Sequence, residues 1–372
     1  MKVKTKESNK LKNKMPKEWL KVAIIILNWN GWKDTIECLE SVVRNTYSNY
    51  QVIVIDNGST NASMEKIKEW AEGKQEVLTP EPSHLLYYLS HPPVKKPIPY
   101  IYYTREEAER GGNFELEEKA TKEWQERRKT NSKELNPTST WPLIFIQTGE
   151  NLGFAGGNNV GVRYTIKKDE YDYILLLNND TVINPNFLNK LVEYYDDSTG
   201  ICAPIIFKYN NTNKIWSSGG KYNIFLGTYA NIATLIKEKQ RETNFISGCC
   251  WLIKQKLFKK IGLLDDVYFL YSEDVDFCYR LKQVGYKLKI IPSSSIFHKI
   301  SKTTGVDFTL MFYYFHRSKL MFIYKNYSGI KKFFYLNLNI AIRYLRIFEY
   351  FIKGKKPLSI SIIKALREYK DV

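Results

Sequence analysis

Val22-Ala23-Ile24-Ile25-Ile26-Leu27, followed at once by Asn28-Trp29-Asn30-Gly31, is the stretch on which the fold turns. Six apolar residues in a row are too few for a signal peptide or a spanning helix, so the run reads as a buried strand. Ile36, Leu39, Val42 and Val43 then recur at near-helical spacing. Residues 51–55 read as a second strand, closed by Asp56-Asn57-Gly58-Ser59-Thr60, and a second helix is expected over 62–71. This β-α-β-α alternation implies a parallel sheet covered by helices. Polar residues at the carboxyl ends of such strands are where ligands bind, which singles out Asn28 and Asp56.

The pattern breaks over residues 73–141, which are rich in Pro, Glu, Lys and Tyr and carry a charged, helix-like stretch at 106–129. This reads as an insertion into the sheet domain. The alternation resumes with a strand at 143–147, then Glu150-Asn151-Leu152-Gly153-Phe154-Ala155-Gly156-Gly157-Asn158-Asn159 and a helix through Lys168. A strand at 173–177 ends in Asn178-Asn179-Asp180, a helix is expected at 186–195, and strand-like runs follow at 201–207, 245–253 and 287–291. Residues 308–352 are aromatic, basic and helical in pattern. Asn339, Arg343, Arg346 and Glu349 share one narrow stripe, and apolar residues cover the rest. Two arginines and a glutamate within such a segment argue against a spanning helix and fit one lying in a membrane interface. A buried or oligomer-forming helix is the rival reading. The expected organisation is a basic tail at 1–20, an α/β domain at 21–305 and a C-terminal helical segment at 306–372.

The 372 residues carry 44% apolar side chains, enough for a substantial core, and a formal charge of +17. That charge suits an anionic partner such as a nucleotide phosphate or an anionic lipid surface. No recognised nucleic-acid motif accompanies it. The cysteines, Cys38, Cys202, Cys249, Cys250 and Cys278, form no C-x-x-C pair, and no secretory segment precedes them. A reduced, cytoplasmic setting is therefore expected.

Three groups carry chemistry. Asp180, at a strand end, is a hard oxygen ligand of the kind that Mg²⁺ takes one or two of beside phosphate oxygens, with Asn178 and Asn179 placed for ribose or water. The same tripeptide also makes an ordinary turn. Glu273, Asp274 and Asp276 open a helical segment, where acids either complement the helix dipole or remove a proton from an attacking hydroxyl. His298 can offer a neutral imidazole as a further metal position. Gly153, Gly156, Gly157 and Gly161 allow close approach of backbone to a nucleotide, without forming the dinucleotide G-x-G-x-x-G pattern.

Together, segments 22–31, 52–60, 151–161, 175–182, 248–262 and 271–280 resemble the family 2 glycosyltransferases, especially their rhamnosyltransferase-like branch. The resemblance implies a GT-A fold, an inverting mechanism and a nucleotide-diphosphate sugar donor, either dTDP-rhamnose or a UDP-sugar. It implies a divalent metal, Mg²⁺ or Mn²⁺, held by Asp180 and His298. Asp274 stands at the catalytic-base position with Glu273 assisting. Asn28, Asp56, Asn151, Gly153, Asn158, Asn178, Asn179 and Arg317 stand at positions that line the nucleotide, the sugar or the diphosphate. Asn178 replaces the first acid of the family's Asp-x-Asp motif, so metal binding leans on Asp180. The acceptor implied is a glycan or lipid-linked hydroxyl, and the place is the inner face of the cell membrane. A non-catalytic sugar-nucleotide or glycan-binding protein that kept the fold is the alternative.

Overall fold

The computed structural model describes residue 17 and residues 20–130, 137–223, 228–300 and 307–371. The basic tail expected over 1–20 lies almost wholly outside them. The first half runs β1 (Val22–Asn28), α1 (Trp32–Val42), β2 (Tyr50–Asp56), α2 (Ser63–Glu72), β3 (Tyr100–Thr104), α3 (Arg105–Glu109), α4 (Phe114–Thr130), β4 (Leu143–Gln147), α5 (Gly153–Lys168) and β5 (Tyr173–Asn178). There follow β6 (Thr181–Ile183), α6 (Phe187–Tyr194), β7 (Thr199–Lys208), β8 (Asn211–Ser217), β9 (Gly220–Asn223), β10 (Thr228–Asn231), β11 (Arg241–Thr243), β12 (Cys250–Lys254) and α7 (Gln255–Ile261). The chain closes with α8 (Glu273–Gln283), β13 (Lys287–His298), α9 (Phe308–Asn326), α10 (Gly329–Ile352) and α11 (Lys356–Glu368).

The main sheet has the order β11-β13-β7-β12-β5-β1-β2-β4-β3. β5, β1, β2, β4 and β3 pair parallel, and β12 runs antiparallel between β5 and β7. β1 lies inside the sheet, between β5 and β2, and this explains its sequence. Val22, Ile24 and Ile26 face one core cluster while Ala23 and Ile25 face the other, so both sides are covered by protein. A strand buried on both faces reads as a continuous apolar run. Each such isoleucine contributes about 1.5–3 kcal/mol through burial.

Three features depart from the sequence expectations. The insertion adds β3 to the sheet edge, and its charged stretch is divided into two helices at Gly111-Gly112, both with positive φ. β13 runs on through Pro292 to His298, with a register irregularity against β7 between Ile291 and Ser295. The C-terminal segment breaks at Tyr327-Ser328 into α9 and α10, and α11 packs back on both. Among the described residues, no helix is long and apolar enough to cross a membrane.

Candidate functional site

A cavity of about 360 Å³ opens at the carboxyl ends of β1 and β5, lined by Trp29, Asn57, Phe154, Asn179, Asp180, Tyr271 and His298 among others. A larger hollow, about 790 Å³, lies between the insertion loop and the β7–β8 turn, but none of the expected site residues lines it.

Asp180 and His298 meet because β6 pairs antiparallel with the end of β13, His298 opposite Thr181. The Lys299 amide donates to the Asp180 carbonyl at 2.9 Å, and His298 Nε2 lies 3.0 Å from Asp180 Oδ1. Two neighbouring ligands of one small divalent cation at about 2.1 Å stand about 3 Å apart, so the pair fits a metal held from one side. No group of three or more His, Cys, Asp or Glu among the described residues is placed to hold a metal. With two protein donors, a bound cation would have to take its remaining ligands from elsewhere, such as a diphosphate and water.

Asp274 sits half-buried in the first turn of α8. It accepts from the amides of Gly248 at 3.2 Å and Val275 at 2.8 Å. The next carbonyl after Gly248, that of Cys249, accepts from the Asn178 amide at 2.9 Å. Asp274 and the Asn-Asn-Asp turn are thus anchored to consecutive residues of one segment. Asp274 is not on the cavity wall itself. Residues 269–271 form that wall just ahead of it, and Phe154, which packs at Gly248, stands beside it. Burial pushes the Asp274 carboxyl up to about 6, against the pull of the two amides. Burial, and next to it the charge of Asp274, push Glu273 well above the ordinary glutamate range. Its Oε2 has no hydrogen-bond partner among the described residues.

The loop before α8 is strained where it faces the cavity. Phe269, Tyr271 and Ser272 have φ of +54°, +67° and +70°. Non-glycine residues hold such angles only when the surroundings over-determine them. One restraint is the Phe154 amide, which donates to the Phe269 carbonyl at 2.8 Å. Gly153 makes this approach possible. Its φ is +71°, and a Cβ there would stand 2.3 Å from the Phe269 carbonyl oxygen.

Asn28 and Asp56 are fully buried beneath the cavity. Asn28 Nδ2 donates to Asp56 Oδ1 at 2.6 Å, and Asn28 Oδ1 accepts from the Thr35 hydroxyl at 2.9 Å. They wire the strand-end loops together. Asn151 Oδ1 accepts from Asn57 at 3.0 Å and from the Gly153 amide at 2.9 Å, and Asn151 and Gly153 both line the cavity. Asn158 is buried and caps the Phe154 carbonyl at 2.9 Å. Asn178 and Asn179 line the cavity, Asn179 donating to Thr35 at 3.0 Å. Arg317 lies away from the cavity wall and donates to the carbonyls of Val267, Glu368 and Asp371.

Sequence reasoning passed over Asn57, although it stood inside the quoted strand-end cluster. It also passed over Asp34 and the aromatic wall of Trp29, Phe154, Phe269 and Tyr271. Asp34 and Glu37 flank the Lys299 ammonium at 2.5 and 2.6 Å, and no local spacing signals a pair so far apart in the chain.

The profile of "Glycosyl transferase family 2" matches residues 23–81 and 125–262. A low-salt glycan biosynthesis hexosyltransferase, Agl10, of Haloferax volcanii is 28% identical over 143 residues, 38% of this chain and 47% of that one. An N-acetylglucosaminyl-diphospho-decaprenol L-rhamnosyltransferase of Mycobacterium tuberculosis is 31% identical over 94 residues, 25% of this chain and 31% of that one. The matched stretches thus span about half or less of these relatives. In three dimensions, the crystal structure of GalNAc-T7 with UDP, GalNAc and Mn²⁺ aligns with a TM-score of 0.50 at 15% identity, covering 85% of this chain and 50% of that one. With the parallel sheet, this likeness identifies the GT-A fold.

Proposed function

The chain belongs to glycosyl transferase family 2, with a rhamnosyltransferase among its relatives, and on that premise we propose that it is an inverting transferase acting in cell-surface glycan synthesis. It moves a sugar from a nucleotide-diphosphate donor, dTDP-rhamnose or a UDP-sugar, to a hydroxyl of a glycan or lipid-linked acceptor. The observation that carries this reading is the meeting of Asp180 and His298 at 3.0 Å in a cavity bounded by the loop that leads directly into Asp274.

The chain's own residues divide the work. Asn57, Asn151 and Gly153 shape one side of the cavity, where the nucleotide is placed. The aromatic side chains of Trp29, Phe154 and Tyr271 exclude water and offer stacking surfaces. Asp180 and His298 would hold Mg²⁺ or Mn²⁺, which when bound supplies positive charge against the departing diphosphate. Asp274 takes the proton from the acceptor hydroxyl as its oxygen attacks the anomeric carbon from the face opposite the leaving group. A carboxyl pushed up to about 6 is a stronger base than an ordinary aspartate and is still mostly ionised at neutral pH.

We also propose a peripheral seat on the inner face of the cell membrane, supported by α10. Its exposed side carries Phe333, Leu345, Phe348 and Ile352, with Lys332 and Arg346 on the same helix and Lys353 just past its end. A screen of nucleotide sugars by mass spectrometry, with and without added Mn²⁺, tests the proposal. Transfer or hydrolysis of at least one nucleotide-diphosphate sugar, enhanced by the metal, is the expected result. Inertness toward every donor would leave a glycan-binding protein with a retained fold.

A further inference from the structure

Three basic side chains lie buried between α9 and α10 without an acid. His316 and Lys319 of α9 and Arg343 of α10 are 3%, 8% and 3% exposed. Among the described residues, no carboxylate forms an ion pair with any of them. Arg343 donates to the carbonyl and side-chain oxygens of Asn339 at 2.9 and 3.2 Å and to the His316 carbonyl at 3.4 Å. Among the described residues its Nε has no partner, nor does either ring nitrogen of His316. The Lys319 ammonium rests 3.6 Å from the Phe315 ring centre and 5.3 Å from that of Tyr229.

A buried cation left unpaired is expensive. The titration behaviour agrees with an uncompensated positive site. Burial, then Arg343 and Arg346, hold Lys319 down to about 7, and burial with the same arginines and Lys319 holds His316 down to about 3. An anion seated among these groups would restore full charge to Lys319 and accept from Arg343 Nε and from the one ring nitrogen of His316 that carries a hydrogen. Arg346, one turn beyond Arg343, is exposed and marks the solvent edge.

The surroundings select the kind of anion. Phe315 contacts Tyr271 of the cavity wall, ring centres 5.8 Å apart. Tyr229 lies near enough to Asp274 and Glu273 that, after burial, their charges are what push its phenol up. The cluster is therefore one aromatic layer from the proposed base. On the other side, α10 turns Leu345 and Phe348 outward, 71% and 66% exposed.

We infer that His316, Lys319 and Arg343 form a subsite for the phosphate ester of the acceptor, a diphosphate that joins its sugar to a lipid chain. The sugar then faces Asp274, and the lipid runs out along the apolar face of α10. The direction of the sugar rests on the transfer reading above, whereas the affinity for a lipid diphosphate does not.

Isothermal titration of the full chain with octyl diphosphate and with octyl glucoside, both below micelle formation and with EDTA present, tests it. Octyl diphosphate should bind at least about tenfold tighter, and inorganic pyrophosphate should displace it. Lys319→Met and Arg343→Met should each remove most of that preference, with His316→Gln as a milder third variant and melting curves to check folding. Equal affinity of the wild-type chain for the two alkyl probes, or a preference that survives all three substitutions in folded protein, would overturn the subsite. Phosphatidylglycerol vesicles displacing the probe as well as pyrophosphate does would assign the cluster to a bilayer headgroup and overturn the acceptor. A chain that shows the preference but turns over no donor would refute the transfer reading alone.

Discussion

The central sheet and helix α10 sort their side chains in opposite ways. In β1 the apolar residues Val22 to Ile26 are wholly buried and the first polar side chain, Asn28, sits at the strand end, where the cavity begins. In α10 the residues held inside are Asn339 and Arg343, at 0% and 3% exposure, while Ile330, Phe333 and Leu345 are 87%, 72% and 71% exposed. Burial of apolar surface stabilises the sheet. The outward apolar side chains of α10, such as Ile330, Phe333 and Leu345, gain little from the rest of this chain, and exposed apolar patches of that kind mark a surface meant for another phase or partner. One region is built for its own stability and the other for what it meets.

That contrast can be broken at several points. Apart from the proposed base, the strand-end site carries the greatest expected effect. Asp180→Asn, close in shape but without the charge, should lower transfer at least about a hundredfold with Mn²⁺ present, in protein that circular dichroism shows to be folded. Retained activity would remove Asp180 from the chemistry. Next comes stability. Leu175→Ala in β5 should cost about 2–5 kcal/mol in urea unfolding, whereas Leu345→Ala in α10 should stay within about 0.5 kcal/mol. Similar losses at both would mean that α10 is packed like the core.

A third substitution addresses what α10 meets. Leu345→Glu combined with Phe348→Glu should weaken sedimentation with phosphatidylglycerol vesicles about tenfold or more. Unchanged partition would direct attention to a protein partner. The smallest effect concerns Glu273. Its pKa is higher in the folded chain than in the unfolded one, so the ionised form lowers stability, and the loss grows as pH rises past the unfolded value. Glu273→Gln should therefore raise Tm by about 2 °C or more at pH 8 and leave it nearly unchanged at pH 4. A Tm lowered at pH 8 would show that the charge is compensated.

Much of the sheet was legible because strands covered on both sides leave long apolar runs, as in residues 22–27, 51–55, 143–147 and 173–177. The short strands β6 and β8 to β11 were not, since they are three to seven residues long and partly polar. β3 was hidden because Tyr102 and Thr104 face out from an edge strand in a segment dominated by charge and proline. At the site, Asp180 and His298 could be named from motifs, but their contact is made by β6 pairing with the last residues of β13, beyond the expected strand end. The polar stripe of α10 was visible. That its Asn339 and Arg343 half faces α9 depends on a helix break at Tyr327-Ser328, which no proline announces.

The base assignment offers the most direct trial. The pH dependence of kcat/KM for transfer, measured on the wild-type chain and on Asp274→Asn, reads the proposed proton acceptor itself. Because the carboxylate must be unprotonated to act, wild-type activity should fall as pH drops through about 6. The variant should bind donor with an unchanged Kd, transfer at least about a thousandfold more slowly above about pH 7, and lack the acid limb. A variant that transfers at near wild-type rate with the same acid limb would contradict the account.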